Sequence, residues 1–179
     1  MQVSDDIRHQ IVALLPRLRR FAYALTGDSD RGDDLVQDTC VRALSKQEQW
    51  QVGTRLDSWL YRIAQNLWLD HIRAGKVRGD NVDIDVVENL PGEDGRSITE
   101  GRSTLAVVSK AIDRLPPDQK VLIALVCVDG LTYKEAADVL EIPIGTVMSR
   151  LARARRALHE ASQNEPELEM SVEVGTRRG

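Results

Sequence analysis

The side chains best suited to chemistry in this sequence are arginines, not nucleophiles or metal ligands. Arg150, Arg153, Arg155 and Arg156 crowd the stretch SRLARARRAL, shortly after the turn signal Ile142-Pro143-Ile144-Gly145. Guanidinium groups at helical spacing suit phosphate contacts, while the first turn of such a helix is free to meet base edges in a groove. His9, His71 and His159 lie on separate segments, and with Cys40 and Cys127 they form no cluster of metal-ligand spacing. No glycine-rich phosphate loop or serine-nucleophile motif occurs. The expected chemistry is therefore binding. The chain is not an enzyme, and it needs no catalytic residue, metal, cofactor or small-molecule substrate.

The elements that would position those arginines can be read from the pattern around them. In TYKEAADVLEIPIGTVMSRLARARRAL, Thr132 and Glu135 have the spacing of a capping box. Ala136, Ala137 and Leu140 make a small apolar inner face, Pro143 ends the first helix, and Gly145 and Thr146 begin the second. Val147, Leu151, Ala154 and Leu158 then face a core. This is a helix-turn-helix, for which the competing interpretation is a helical hairpin with a solvated arginine face. Glu141 stands where many such turns carry Gly, the residue that adopts left-handed backbone most readily.

The remaining sequence is also helical in period, with no alternating strand run. Ile11, Leu14, Leu15, Leu18, Phe21, Ala22 and Leu25 line one face of a first helix, which Pro16 should kink or restart and Gly27 should stop. A second helix, about 30–47, follows a cap at Asp28 or Ser29. It sets Leu35, Val36, Thr39, Cys40, Ala43 and Leu44 on one broad face. A third, about 57–73, points Trp59, Leu60, Ile63, Ala64, Leu67 and Ile72 inward and is closed by Gly75 and Gly79. A helix running to Leu115 and another over 118–128 precede the helix-turn-helix.

The fold class expected is all-α. Two small helical domains, 1–78 and 104–161, are joined by an acidic flexible linker, 79–103, and followed by a disordered tail, 162–179. Both cysteines should be buried free thiols. The absence of a leader pattern or a long apolar run predicts a cytoplasmic protein with no direct membrane insertion.

Formal net charge is −4, which at first sight opposes nucleic-acid binding. Its distribution changes that conclusion. Residues 1–78 hold 12 Lys/Arg against 10 Asp/Glu, and 110–162 hold 8 against 7, whereas 79–109 hold 2 against 7. Acid is concentrated in the connector and the tail. Weakly basic modules bind bare DNA poorly on their own, since phosphate contacts supply most non-specific affinity, so a larger partner is implied.

Four motifs in order, LPRLRRFAYALTGD, DDLVQDTCVRAL, DSWLYRIAQNLWLDHIRAGKVR and LPPDQKVLIALVCVDGLTYKEAADVLEIPIGTVMSRLARARRAL, resemble the sigma-70 family. The resemblance is to its extracytoplasmic-function (ECF) group. It implies a transcription initiation factor that binds core RNA polymerase, through its largest and second-largest subunits, and promoter DNA. It also implies an anti-sigma protein as regulator.

By the same resemblance, Asp34, Gln37, Asp38, Arg42 and Leu44 match the polymerase-gripping helix. Trp50 matches an aromatic position in the loop that cages a flipped base of the −10 element; a core role for that ring is equally open. Ile63 and Asn66 match pocket and base-reading positions. Arg62, Arg73 and Lys76 fall on the outward strip facing the non-template strand. Pro143, Gly145, Thr146, Met148, Ser149, Ala152, Arg153 and Arg156 would face the −35 element, with Met148 replacing a frequent Lys or Arg. Two rival functions are a stand-alone helix-turn-helix regulator and a sigma-like protein acting on a regulator rather than on DNA.

Overall fold

The computed structural model describes residues 2–78, 106 and 108–163, which contain helices and turns and no strand. The expected linker 79–103 lies outside the described residues, as does the expected tail 162–179 apart from residues 162 and 163, which continue the last helix instead. The N-terminal half comprises α1 (Gln2–Thr26), α2 (Ser29–Ser45), a 3-10 turn (Gln47–Gln49) and α3 (Leu56–Arg78). The second half comprises α4 (108–113), α5 (Pro117–Ile123), a π-helical turn (Ala124–Val128), α6 (Tyr133–Leu140) and α7 (Ile144–Gln163).

Helix α1 runs past Pro16 as a single element, so the expected restart does not occur. The pyrrolidine ring faces solvent and Val12, whose carbonyl loses its helical donor, is 63% exposed. Water can satisfy that carbonyl, which makes the interruption tolerable. Inward, α1 buries Ile7, Ile11, Leu18, Phe21, Ala22 and Leu25.

Gly27, at φ +69°, ends α1 by donating its N–H to the Tyr23 carbonyl at 2.9 Å. Asp28 then caps α2, its carboxylate accepting from the Arg31 N–H at 2.8 Å. Gly32 lets the two helices approach closely, because a Cβ there would come within 2.1 Å of the Tyr23 ring.

The inner face of α2 is Leu35, Val36, Thr39 and Ala43, with the Thr39 hydroxyl donating to the Leu35 carbonyl at 2.6 Å. Leu44, expected on that face, is exposed instead, and Cys40 is only half-buried. The α3 core is Leu60, Tyr61, Ala64 and Trp68. Trp59, expected inside, stands off this stripe and is half-buried. Nor does α3 stop at Gly75. An isolated helical Gly costs only about 1 kcal/mol, too little to end a helix by itself.

In the second half, Pro117 opens α5 and the expected helix to Val128 widens into the π turn, with the Asp129 N–H reaching back to the Ala124 carbonyl at 3.0 Å. The wider turn leaves Cys127 exposed rather than buried, which corrects the expectation for that thiol. The two halves are in contact. Helix α1 meets α5 and the π turn, α3 meets α6, and the buried residues form one continuous cluster.

Candidate nucleic-acid interface

The helix-turn-helix is built as its sequence requires. Thr132 Oγ1 accepts from the Glu135 N–H at 3.2 Å, and the Glu135 carboxylate accepts from the Thr132 N–H at 2.8 Å, which completes the capping box. Helix α6 buries Ala136, Ala137 and Val139. Glu141 follows in the left-handed conformation at φ +54°, the backbone state that a Gly would adopt more easily. Pro143 then accepts from the Thr146 N–H at 2.9 Å to start α7.

With Val147, Leu151 and Ala154 buried, helical geometry turns Gly145, Met148, Ser149, Ala152, Arg153 and Arg156 to the opposite side, where all are exposed. Pro143 is exposed at the turn, and Thr146 is half-buried. The four arginines divide between two tasks. Arg150 pairs back to Asp118 at 3.1 Å. Arg155 donates to the Tyr133 hydroxyl at 2.9 Å and stacks 5.9 Å from that ring, bracing α7 on α6. Arg153 and Arg156 are the ones left facing solvent along this exposed face.

A second feature lies beside α3. Arg42, Lys46, Gln49, Trp59, Arg62, Ile63, Asn66, Leu67 and Asp70 line an open concavity of about 250 Å³. It combines a flat indole face, amide groups able to read a base edge and three cations. Such a combination suits an unstacked nucleotide. Arg62, Ile63 and Asn66, singled out from sequence, meet here. Trp50 does not line it. Its ring packs against the core, and its indole N–H is buried with no acceptor among the described residues. Trp59 is the aromatic of this concavity. It was missed because its apolar character read as core. Arg73 pairs with Asp70 at 3.1 Å, and Lys76 lines a different cleft of about 650 Å³ between the halves.

The outward face of α2 carries Asp34, Gln37, Asp38 and Leu44, all exposed, with Val41 among them at 61% exposure. Sequence reasoning did not single out Val41, although its i+3 and i+4 spacing from Asp38 and Gln37 places it on the same strip. Arg42 sits at the edge of this face and turns toward the concavity.

Charge links the halves. Arg17 donates to Asp57 at 3.2 Å and to Asp129 at 2.7 Å, and Asp129 also receives the Tyr61 hydroxyl. Arg55 pairs with Asp57 at 2.7 Å and with Glu135. Burial, with Asp129 next to it, pushes the Tyr61 phenol well up. Burial works to raise Asp57, but hydrogen bonds from Arg55 and the Ser58 N–H outweigh it, so this carboxyl lies below the usual range. The Thr132 N–H, then Arg55, lowers Glu135.

Comparison with known proteins agrees with this architecture. Residues 11–65 match the family described as the Sigma2 domain of PhyR, and residues 105–158 match Sigma-70, region 4. The ECF RNA polymerase sigma factor EcfG of Rhodopseudomonas palustris is 35% identical over 158 residues, 88% of this chain and 86% of that protein. The ECF RNA polymerase sigma-E factor of Escherichia coli is 30% identical over 165 residues, 87% of this chain and 82% of its own length. Among solved structures, the sigma factor RpoE bound to the anti-sigma factor NepR from Bartonella quintana is 32% identical with a TM-score of 0.72, covering 90% of this chain and 99% of that one. CnrH, solved with the cytosolic domain of CnrY, shares the fold at 23% identity and a TM-score of 0.65, covering 88% of each chain. With helix order and sequence in agreement, the chain belongs to the ECF group of RNA polymerase sigma factors.

Proposed function

We propose that this chain binds core RNA polymerase through the outward face of α2 and directs it to promoters. In this reading α7 holds the duplex −35 element, and the concavity beside α3 receives an unstacked base of the melted −10 element. The observation that carries it is the presence, in one ECF chain, of an exposed recognition face and a separate polar, aromatic-edged concavity. A stand-alone duplex reader needs only the first. The duty is recognition and strand capture in the cytoplasm, with no bond made or broken by the protein itself. No helix among the described residues is long and apolar enough to cross a membrane.

This reading gives the residues the following roles. Asp34, Gln37, Asp38 and Leu44, joined by Val41, form the polymerase surface. Arg42, Ile63 and Asn66 serve the concavity with Gln49 and Trp59. Met148, Ser149, Ala152 and Arg153 read the −35 bases, and Arg156 contacts phosphate. An anti-sigma protein completes the set of partners, supported by the Bartonella relative, which is solved with one.

The match of residues 11–65 to the Sigma2 domain of PhyR favours a second reading, in which the chain occupies an anti-sigma factor instead of polymerase. One experiment separates the two. The purified chain is added to core polymerase and transcripts are mapped genome-wide. New start sites and a stable complex are expected; neither appearing would leave the second reading in place. Substituting Gln37 and Asp38 with Ala together should weaken the complex with core at least about tenfold, the scale of one or two interface anchors.

A further inference from the structure

The strip of α2 assigned to polymerase, Asp34, Gln37, Asp38, Val41 and Leu44, is exposed along its length, so the core beneath does not hold its side chains. Its aim depends on how α2 is turned about its own axis. Side-chain ends lie about 5–6 Å from a helix axis, so a turn of about 10° carries them roughly 1 Å. The buried face of α2 resists such a turn only weakly. Gly32, Thr39 and Ala43, three of its five buried residues, have small side chains or none. Small residues make shallow ridges, and shallow ridges mesh loosely with a neighbouring helix.

A cluster on the flank of α2 supplies what that face lacks. One oxygen of Asp33, Oδ1, accepts from the Tyr23 hydroxyl at 2.7 Å, from Arg19 Nη2 at 2.9 Å and from Arg19 Nε at 3.1 Å. The Arg19 guanidinium also lies 6.0 Å from the centre of the Tyr23 ring. That ring rests against Gly32 so closely that a Cβ there would stand 2.1 Å from it. Two side chains of α1 therefore grip two successive residues of α2, across a connection made only of Gly27 and Asp28. The Tyr23 hydroxyl, then Arg19, holds the Asp33 carboxyl below its ordinary value, so it remains ionised and paired at neutral pH.

Folding stability is a poor reason for this arrangement. The Arg19 and Asp33 side chains are 53% and 48% exposed, and exposed ion pairs contribute little because water screens them and long side chains lose freedom. Their location gives a better reason, since Asp33 directly precedes Asp34 and lies one turn before Gln37.

We infer that Arg19, Tyr23 and Asp33 are positioning residues for polymerase binding: their clamp sets the rotation of α2 and so aims the Asp34–Leu44 strip at its partner without touching that partner. This deepens the polymerase-binding reading of α2 and rests on it. Groups preset in their bound arrangement lose less freedom on docking and so bind more tightly.

The full chain and its variants are titrated with core polymerase, and their melting temperatures are measured beside the affinities. Tyr23→Phe removes one hydrogen bond and keeps the ring on Gly32; core affinity should fall about threefold with melting temperature little changed. Arg19→Glu sets two carboxylates together and should cost about tenfold. The exchanged pair Arg19→Glu/Asp33→Arg restores an ion pair and should recover affinity to within about threefold of wild type. An Asp33 that touched polymerase itself would leave the exchanged pair as weak as Asp33→Arg alone, which overturns the positioning role. Affinity that falls only in step with melting temperature, or stays at the wild-type value in Tyr23→Phe and Arg19→Glu, overturns it as well. Gln37→Ala/Asp38→Ala is the companion measurement. Wild-type core affinity in that variant sinks the α2 reading, whereas its loss beside unchanged clamp variants sinks the clamp alone.

Discussion

If α7 reads the −35 element as proposed, Met148 would offer an apolar surface suited to a thymine methyl in place of the phosphate or guanine contact of a cation. Met148 is 53% exposed on the same face as Arg153, so the exchange is open to direct measurement. Met148→Lys adds one cation near phosphate. Non-specific duplex binding by the holoenzyme should strengthen, with the log–log salt slope steeper by about one. Arg153→Ala should instead cost about 1–3 kcal/mol at the preferred −35 sequence and relax discrimination there, as read in a competition assay. Within the concavity, Asn66→Ala should impair strand opening and leave −35 duplex binding unchanged. Permanganate footprinting of the −10 region beside a −35 binding measurement separates those two effects.

At the scale of elements, close approach and capping control how the faces are presented. Gly32→Ala gains helix propensity, but its new Cβ meets the Tyr23 ring, which is itself anchored to Asp33 by a 2.7 Å hydrogen bond. Displacing that ring loses the anchor, so a net loss of about 1–2 kcal/mol in unfolding free energy is expected. Thr132→Ala removes one half of the capping box and should cost about 1 kcal/mol. Because α6 orients α7, the same change should weaken −35 binding without altering core affinity. The arginines of α7 alternate between bracing and exposure. Arg150 and Arg155 brace the helix against Asp118 and Tyr133, while Arg153 and Arg156 face outward.

For the whole molecule, the ion network between the halves sets the response to acid. Asp57 and Glu135 both titrate below the ordinary carboxylate range in the folded chain. A lowered folded value means the folded state holds fewer protons than the unfolded chain, so the stability these groups contribute is present above the unfolded value of about 4. It is lost as pH falls from there through the lower folded values. Melting temperature should therefore be nearly flat from neutral pH to about 5 and decline below about 4. Glu135→Gln should flatten the part of that decline owed to its pair with Arg55. Thermal melts across a pH series provide the check.

Much of this protein is decided locally and is legible in its sequence. The 3.6-residue apolar period forecasts the helices, Asp28 and the Thr132–Glu135 pair mark two helix starts, and the Ile142-Pro143-Ile144-Gly145 turn forecasts the helix-turn-helix. Each depends on residues within a turn or two of one another, where spacing alone fixes geometry. What sequence could not determine depends on partners far apart in the chain. Trp59 and Trp68 look alike in a helical window, and only the packing of α3 sends Trp68 inward and leaves Trp59 at a concavity. The division of arginines between paired and exposed has the same origin, since the pairing partners of Arg150, Arg155 and Arg62 lie in other parts of the fold. Arg17 and Asp129 are 112 positions apart, and no local pattern announces that a π turn will bury the carboxylate against that guanidinium. The sequence by itself therefore determined the helices, their polar faces and the family. Tertiary packing alone decided which charged groups pair and which stay exposed, because ion pairing is set by distance in space rather than by order along the chain.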